Sequence, residues 1–415
     1  MNNYKKVILD NGIPLYIYND PTLKQVYFGC IIEYGSSGRF SKFNLDGQDY
    51  SVRPGCAHFL EHLLGERSKY GNIYTNFNLR CYDYDAYTAV DHTCYDFCGV
   101  IDVKQSIKEL IEAIEEPVFD EQDVEDTKCA IEEEASMQLD AYNQIAAKVA
   151  ENILFSGYRE YDKSYSDIGT RANNRKMDID TLRTCYKAFY KDENKKLILA
   201  GNINEQEMVD YINGIYARIP RHTSSLILPS YDLEGIEKKH QSITRSINID
   251  INSFAFKIKK PDELSKRDVQ FCMDIFAEYL FGELSKFAID TRKRKLVDGL
   301  KASYSLWVEN YLKYVQSYIS QKSDKYFNRI LDVTRKKDIS KEEFELIKKL
   351  LLAEIVRELD FKYSMLDDFG RKTRYTEDFS DLDYVSGINY DKFRDMLSLL
   401  DFSQYTTGEI KKKIK

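Results

Sequence analysis

The sequence predicts a mixed fold, α+β or α/β, divided between two domains. The chain has 415 residues, 43% of them hydrophobic, which is more than one core usually organises, so two domains of roughly 200 residues each are expected. Strand-like alternation and helix-like periodicity mix in both halves. Between them RHTSSLILPSYDLEGIEKKH loses periodicity and gathers Pro, Ser and Gly, a linker signal. The domains are therefore placed at 1–222 and 240–415, with a linker at about 223–239.

The elements follow in order. Residues 4 to 19 alternate around Asp10-Asn11-Gly12, the short-range signal of a β-hairpin. The run QVYFGCIIEYGSS reads as the next strand. IDVKQSIKELIEAIEE at 101–116 sets Ile107, Leu110, Ile111 and Ile114 on one helical face and stops at Pro117,. One long helix is expected from about Gln122 to Phe155. The strand LILAGNI and the helix NEQEMVDYINGIYARI close the first half. The second half opens on the alternating SITRSINIDINSFAFKI, continues with a helix at 267–281 and strands around SYSLWV, and ends in Lys- and Glu-rich helices. The terminal EIKKKIK reads as a solvated tail,.

Composition removes several function classes. Lys and Arg number 60 against 68 Asp and Glu, a net charge of −8, whereas nucleic-acid binding needs a clustered basic surplus. No window approaches the roughly 18 apolar residues of a membrane span, and the first twenty residues lack the apolar block of a signal peptide. The eight cysteines form no C-x-x-C pair and read as reduced packing residues, so a cytoplasmic location is expected.

Only five histidines occur, and two fall in GCAHFLEHLL as His58-x-x-Glu61-His62. At about 100° per residue, His62 lies about 40° round the helix from His58, and Glu61 about 60° the other way. Two imidazoles and a carboxylate then converge on one point. Zinc suits such a set, since imidazoles four apart can ligate one ion while the carboxylate takes a proton from water. The bland alternative is a helix whose histidines are polar neighbours of a core. A hydrolytic site needs a third ligand, and the acidic run Glu132-Glu133-Glu134 is the best source. Only one of three successive helical residues can face a given ion.

With these residues in view, the chain is identified as resembling the pitrilysin/insulinase family of zinc peptidases with the inverted H-x-x-E-H motif. GCAHFLEHLL is similar to the family's G-x-A-H-F-L-E-H-M/L almost residue for residue. Tyr84-Asp85-Ala86-Tyr87-Thr88 resembles its N-A-x-T segment, and Phe119-Asp-Glu-Gln-Asp-Val-Glu the lead into its third-ligand helix. Asp167-Ile-Gly169-Thr170 and Leu199-Ala-Gly201-Asn202 are similar to later landmarks. The likeness covers most of the first 210 residues.

The resemblance implies an α+β fold of two structurally similar α/β sandwich domains, each a mixed sheet covered by helices. It implies one Zn2+ per chain held by His58, His62 and Glu134, with Glu133 as the fallback ligand, and Glu61 as general base of a peptide-hydrolysing reaction. Asp85, Ala86 and, more weakly, Tyr304 are carried over as substrate contacts. The length is similar to that of the half-length members, which implies a homodimer or a heterodimer with a related chain, closing a chamber around an extended peptide. Three positions depart from the family: Thr127 stands where a Glu is usual seven residues before the ligand, Asp85 replaces an Asn, and Val297 stands where an Arg is expected. A non-catalytic or structural subunit of a heterodimeric peptidase is the alternative function, and a zinc-stabilised binding module a third.

Overall fold

The structure is a computed structural model, and it describes residues 4–157, 159–160, 165–360, 372 and 381–413. They divide into two compact units, Met1–Asp140 with Tyr158–Tyr231, and Ala141–Gly157 with Asp232–Lys415. In chain order the first unit contains β1 (Tyr4–Ile8), β2 (Pro14–Asn19), β3 (Val26–Ile32), β4 (Lys42–Leu45), β5 (Gln48–Ser51), α1 (Cys56–Glu66), α2 (Ile73–Leu79), β6 (Asp83–Thr88), β7 (Thr93–Gly99), α3 (Val103–Glu115) and α4 (Glu121–Leu139). Helix α5 (Tyr142–Glu151) belongs to the second unit. The first resumes with α6 (Arg171–Arg175), α7 (Ile179–Phe189), β8 (Lys195–Gly201), α8 (Glu205–Tyr216) and β9 (Leu226–Ile227). The second continues with β10 (His240–Arg245), β11 (Ile251–Lys259), α9 (Lys266–Phe281), α10 (Lys286–Lys293), β12 (Gly299–Val308), β13 (Tyr311–Ile319), α11 (Ser323–Lys336), α12 (Lys341–Asp360), α13 (Asp381–Gly387), α14 (Tyr390–Leu399) and β14 (Tyr405–Lys412).

The opening hairpin pairs Tyr4 with Tyr18 through Ile8 with Pro14. Gly12, at φ +90°, supplies the left-handed residue its turn requires,. The main sheet of the first unit has the order β1-β2-β8-β3-β7-β6. Only β2 and β8 run parallel in it; the other neighbours are antiparallel. The second unit has the order β10-β14-β11-β13-β12, with β10 and β14 parallel and the rest antiparallel. With β1 set aside, the two sheets share one plan: a parallel pair at one side, then three antiparallel steps. The fold is thus α+β, two similar mixed sheets each covered by helices. The repeat lies in topology, not in residue identity.

Helix α3 forms as its periodicity demands, with Ile107, Leu110, Ile111 and Ile114 buried. Three expectations need correction. The stretch 122–155 is two helices, not one: α4 ends with Asp140 at its C-cap and α5 starts at Tyr142. Both segments are periodic, but α5 buries its apolar face on β11, β13 and β14, so one straight helix cannot serve both units. Of the terminal EIKKKIK, Glu409 to Lys412 are not a tail: they complete β14, between β10 and β11, with Ile410 fully buried, while Ile414 and Lys415 lie outside the described residues. The strand's lysines hide the period-2 alternation that buries Thr406, Gly408 and Ile410,. At Gly408 a Cβ would come within 2.7 Å of the Ala150 backbone nitrogen, so α5 approaches the sheet only because that residue is glycine,. Two cysteines, Cys81 and Cys129, are exposed, against the expectation that all eight pack inside. Among the described residues no helix is long and apolar enough to cross a membrane.

Candidate metal centre

Helix α1 starts at Gly55, whose φ of +100° and close approach to Ile168 O and Asn174 Oδ1 leave no room for a side chain,. Phe59, Leu60, Leu63 and Leu64 are fully buried and fix the helix on the core. That anchoring turns His58, Glu61 and His62 toward one side, and their ligand atoms lie within 4.8 Å of one another. Helix α4 begins with a capping box in which Asp120 and Asp123 bond each other's backbone N–H groups,. Val124, Ile131 and Ala135 bury its apolar stripe, and α4 packs against α1.

This packing selects one of the three glutamates. Glu132 forms a two-pronged ion pair with Arg175, at 2.7 and 3.0 Å. Glu133 is exposed. Glu134 faces the histidines, its Oε2 3.2 Å from His58 Nε2 and its Oε1 3.5 Å from His62 Nε2. Glu61 Oε2 is farther from His58 Nε2, at 3.9 Å, and accepts a hydrogen bond from Thr88 Oγ1 at 2.9 Å. Donors on a tetrahedral zinc at about 2.0–2.1 Å stand about 3.3 Å apart. The two Nε2 atoms and the Glu134 carboxylate therefore fit such an ion, and Glu61 sits beside it.

Electrostatics separates the two carboxylates. Burial pushes the Glu61 carboxyl up, against the opposing pull of His58 and His62,. Hydrogen bonds from His58 and then His62 hold Glu134 well below the usual carboxylate range. Burial disfavours charge on His62, but its bonds to Glu134 and Glu66 and the field of Glu61 outweigh that and raise it to about 10. Glu134 thus stays anionic while Glu61 is the carboxyl that holds a proton more readily.

Asp85 and Ala86 lie on β6, opposite Asp96 and Tyr95 of β7. Strand β6 ends the sheet order, so its other side meets no described strand. Tyr304 is on β12 in the second unit, where its hydroxyl bonds Glu151. Two residues at the site were not foreseen. Thr88, which holds Glu61, lay within the N-A-x-T-like segment, and its position two residues after Ala86, on the same strand face, was the available signal. Glu66, whose Oε1 is 3.1 Å from His62 Nδ1, stands one helical turn after His62. Thr127, in place of the usual Glu, is buried with no hydrogen-bond partner for its hydroxyl among the described residues.

The family described as Insulinase (Peptidase family M16) matches residues 18–171, and the Peptidase M16 inactive domain matches residues 176–351. A Bacillus subtilis protein named as an uncharacterized zinc protease, YmfH, is 25% identical over 284 residues, 67% of this chain and 65% of the relative. A second, YmxG of the same organism, is 26% identical over 245 residues, 57% of this chain and 56% of the relative. The match thus spans less than two thirds of either relative's own length. An M16-like peptidase from Alicyclobacillus acidocaldarius shares the fold, with a TM-score of 0.81 over 99% of this chain and 98% of the other, at 20% identity. Matched by both segments of one family between residues 18 and 351, the chain belongs to the insulinase peptidase family, M16.

Proposed function

We propose that the chain is a zinc-dependent endopeptidase. His58, His62 and Glu134 hold one Zn2+ per chain, and Glu61 is the general base. The observation that carries this reading is the convergence of both Nε2 atoms on the Glu134 carboxylate, at 3.2 and 3.5 Å, beside a buried Glu61. Zinc bound there supplies a Lewis acid that polarises a scissile carbonyl and acidifies water. Glu61 takes the proton of the attacking water and hands it to the leaving amine. Burial, which raises its pKa, lets it keep that proton until the amine departs. Thr88 fixes the carboxylate through Oε2, and Glu134 remains an anion throughout.

An extended peptide is the substrate class. The side of β6 that meets no described strand, with Asp85 and Ala86 on it, supports β-augmentation, in which main-chain hydrogen bonds give affinity with little sequence preference,. Tyr304 is the further substrate contact, and a dimer with a second copy or a related chain encloses the peptide. The relatives named as zinc proteases support the metal and the reaction class. Cysteine usage supports a cytoplasmic location.

The test is elemental analysis of metal-reconstituted protein together with cleavage of a peptide library. One zinc in wild type, far less in Glu134→Gln, and full zinc without turnover in Glu61→Gln are expected; a Glu61→Gln protein that cleaves at the wild-type rate removes Glu61 from its role. The second reading, a non-catalytic subunit of a peptidase pair, draws on the buried, unpartnered Thr127 hydroxyl and on Asp85. A wild-type chain that takes up no zinc favours it.

A further inference from the structure

The two histidines of the site are held differently. His58 Nδ1 is buried and has no hydrogen-bond partner among the described residues. His62 Nδ1 lies 3.1 Å from Glu66 Oε1, at the i, i+4 spacing that sets two side chains one above the other on a helix. An ionised carboxylate only accepts hydrogen bonds, so this contact places a proton on Nδ1 and leaves Nε2, which faces Glu134, as the nitrogen whose proton a metal ion would replace,. Glu66 is itself oriented. Its Oε2 lies 3.6 Å from an Arg67 guanidinium nitrogen, and Arg67 Nε donates to Asp123 Oδ1 at 2.7 Å. Asp123 is also the residue whose Oδ2 accepts the Asp120 N–H in the α4 capping box, at 3.0 Å. A line of charge-assisted contacts therefore runs from the first turn of α4, the helix carrying Glu134, to the ring of His62.

We infer that Glu66 is a positioning carboxylate of the metal centre: through Nδ1–H it fixes the His62 ring and the tautomer that offers Nε2 to the metal, and Arg67 with Asp123 holds it in place. The inference rests on the zinc reading above. Carboxylates on the far nitrogen of metal-ligating histidines raise ligand basicity and set ring orientation, and losing one typically weakens metal binding 10–100-fold. An ordinary surface pair on a helix would leave metal affinity unchanged.

Zinc affinity of the full chain, measured by competition with a chromophoric chelator at one pH, separates these outcomes for wild type, Glu66→Leu and Glu66→Gln. The expected result is a loss of about 10–100-fold in Glu66→Leu and a smaller loss in Glu66→Gln, which keeps an acceptor oxygen. Metal-free melting temperatures stay equal. In zinc-loaded protein the Nδ1–H proton of His62, resolved by 15N-edited NMR, sits far downfield in wild type and shifts upfield or exchanges away in Glu66→Leu. If wild type binds zinc and both variants bind it equally well, Glu66 has no positioning role while the zinc reading stands. If wild type binds none, the zinc reading fails and the inference fails with it. Should Glu66→Leu not fold, Glu66→Gln decides by the same affinity and NMR readouts.

Discussion

The Thr88 hydroxyl reaches Glu61 from the edge strand β6, and the Thr88 side chain also approaches Thr93 Oγ1 at 3.4 Å, which in turn donates to Tyr34 O at 2.9 Å. A buried carboxylate with one donor removed loses part of its orientation along with a charge-assisted bond. Thr88→Val is therefore expected to keep zinc and KM but lower kcat about tenfold, about 1.4 kcal/mol of barrier. Thr88→Ser should restore most of it, and steady-state kinetics with zinc content checks both. His58, Glu61 and His62 were legible because their convergence is a local matter of helix spacing. Glu134 was legible only with help, since the phase of α4 that sends Glu132 to Arg175 and Glu133 to solvent depends on packing against α1. Glu66 escaped notice because nothing in a helix-ending glutamate marks it as facing this cluster, and Thr88, although inside the N-A-x-T-like segment, was given no role of its own there.

At the scale of elements, α5 ends in an ion pair with both side chains wholly buried. Glu151 bonds Lys313 of β13 and the hydroxyl of Tyr304. Removing one partner leaves an uncompensated buried charge, so Lys313→Met should cost about 3–5 kcal/mol in chemical unfolding. Adding Glu151→Gln, which removes the charge but keeps an acceptor for Tyr304, should recover most of that. Equal instability of the single and double variants would show that packing around Lys313, not the charge, sets the cost. Helix α3 was legible because its apolar stripe and Pro117 are local signals. The break at Asp140 and the strand nature of β14 were not, because each depends on a sheet built from distant segments: α5 leaves the chain order to cover β11, and Lys411 and Lys412 sit in a strand whose neighbours begin at His240 and Ile251.

For the whole molecule, the two sheets share one plan, yet the candidate site belongs to only one of the two units. Only the first unit holds the His58-x-x-Glu61-His62 helix, and no second such cluster of His, Cys, Asp and Glu ligand atoms occurs among the described residues. The proposed dimer is checked by size-exclusion with light scattering, where about twice the chain mass of 48.6 kDa is expected and a monomer near 48.6 kDa rejects it. Strand β14 sits between β10 and β11 while α5 waits on the same sheet, and this has a cost in time. About 260 residues separate the end of α5 from the end of β14. At ribosomal speeds of about 5–20 residues per second, that interval is roughly 10–50 s. The first unit's strands and helices, the site included, have all emerged by Ile227 and can close early. Of that interval, the part after Arg245, about 167 residues or roughly 8–33 s, leaves β10 unpaired and then one edge of β11 open, a state in which a nascent chain needs a chaperone,.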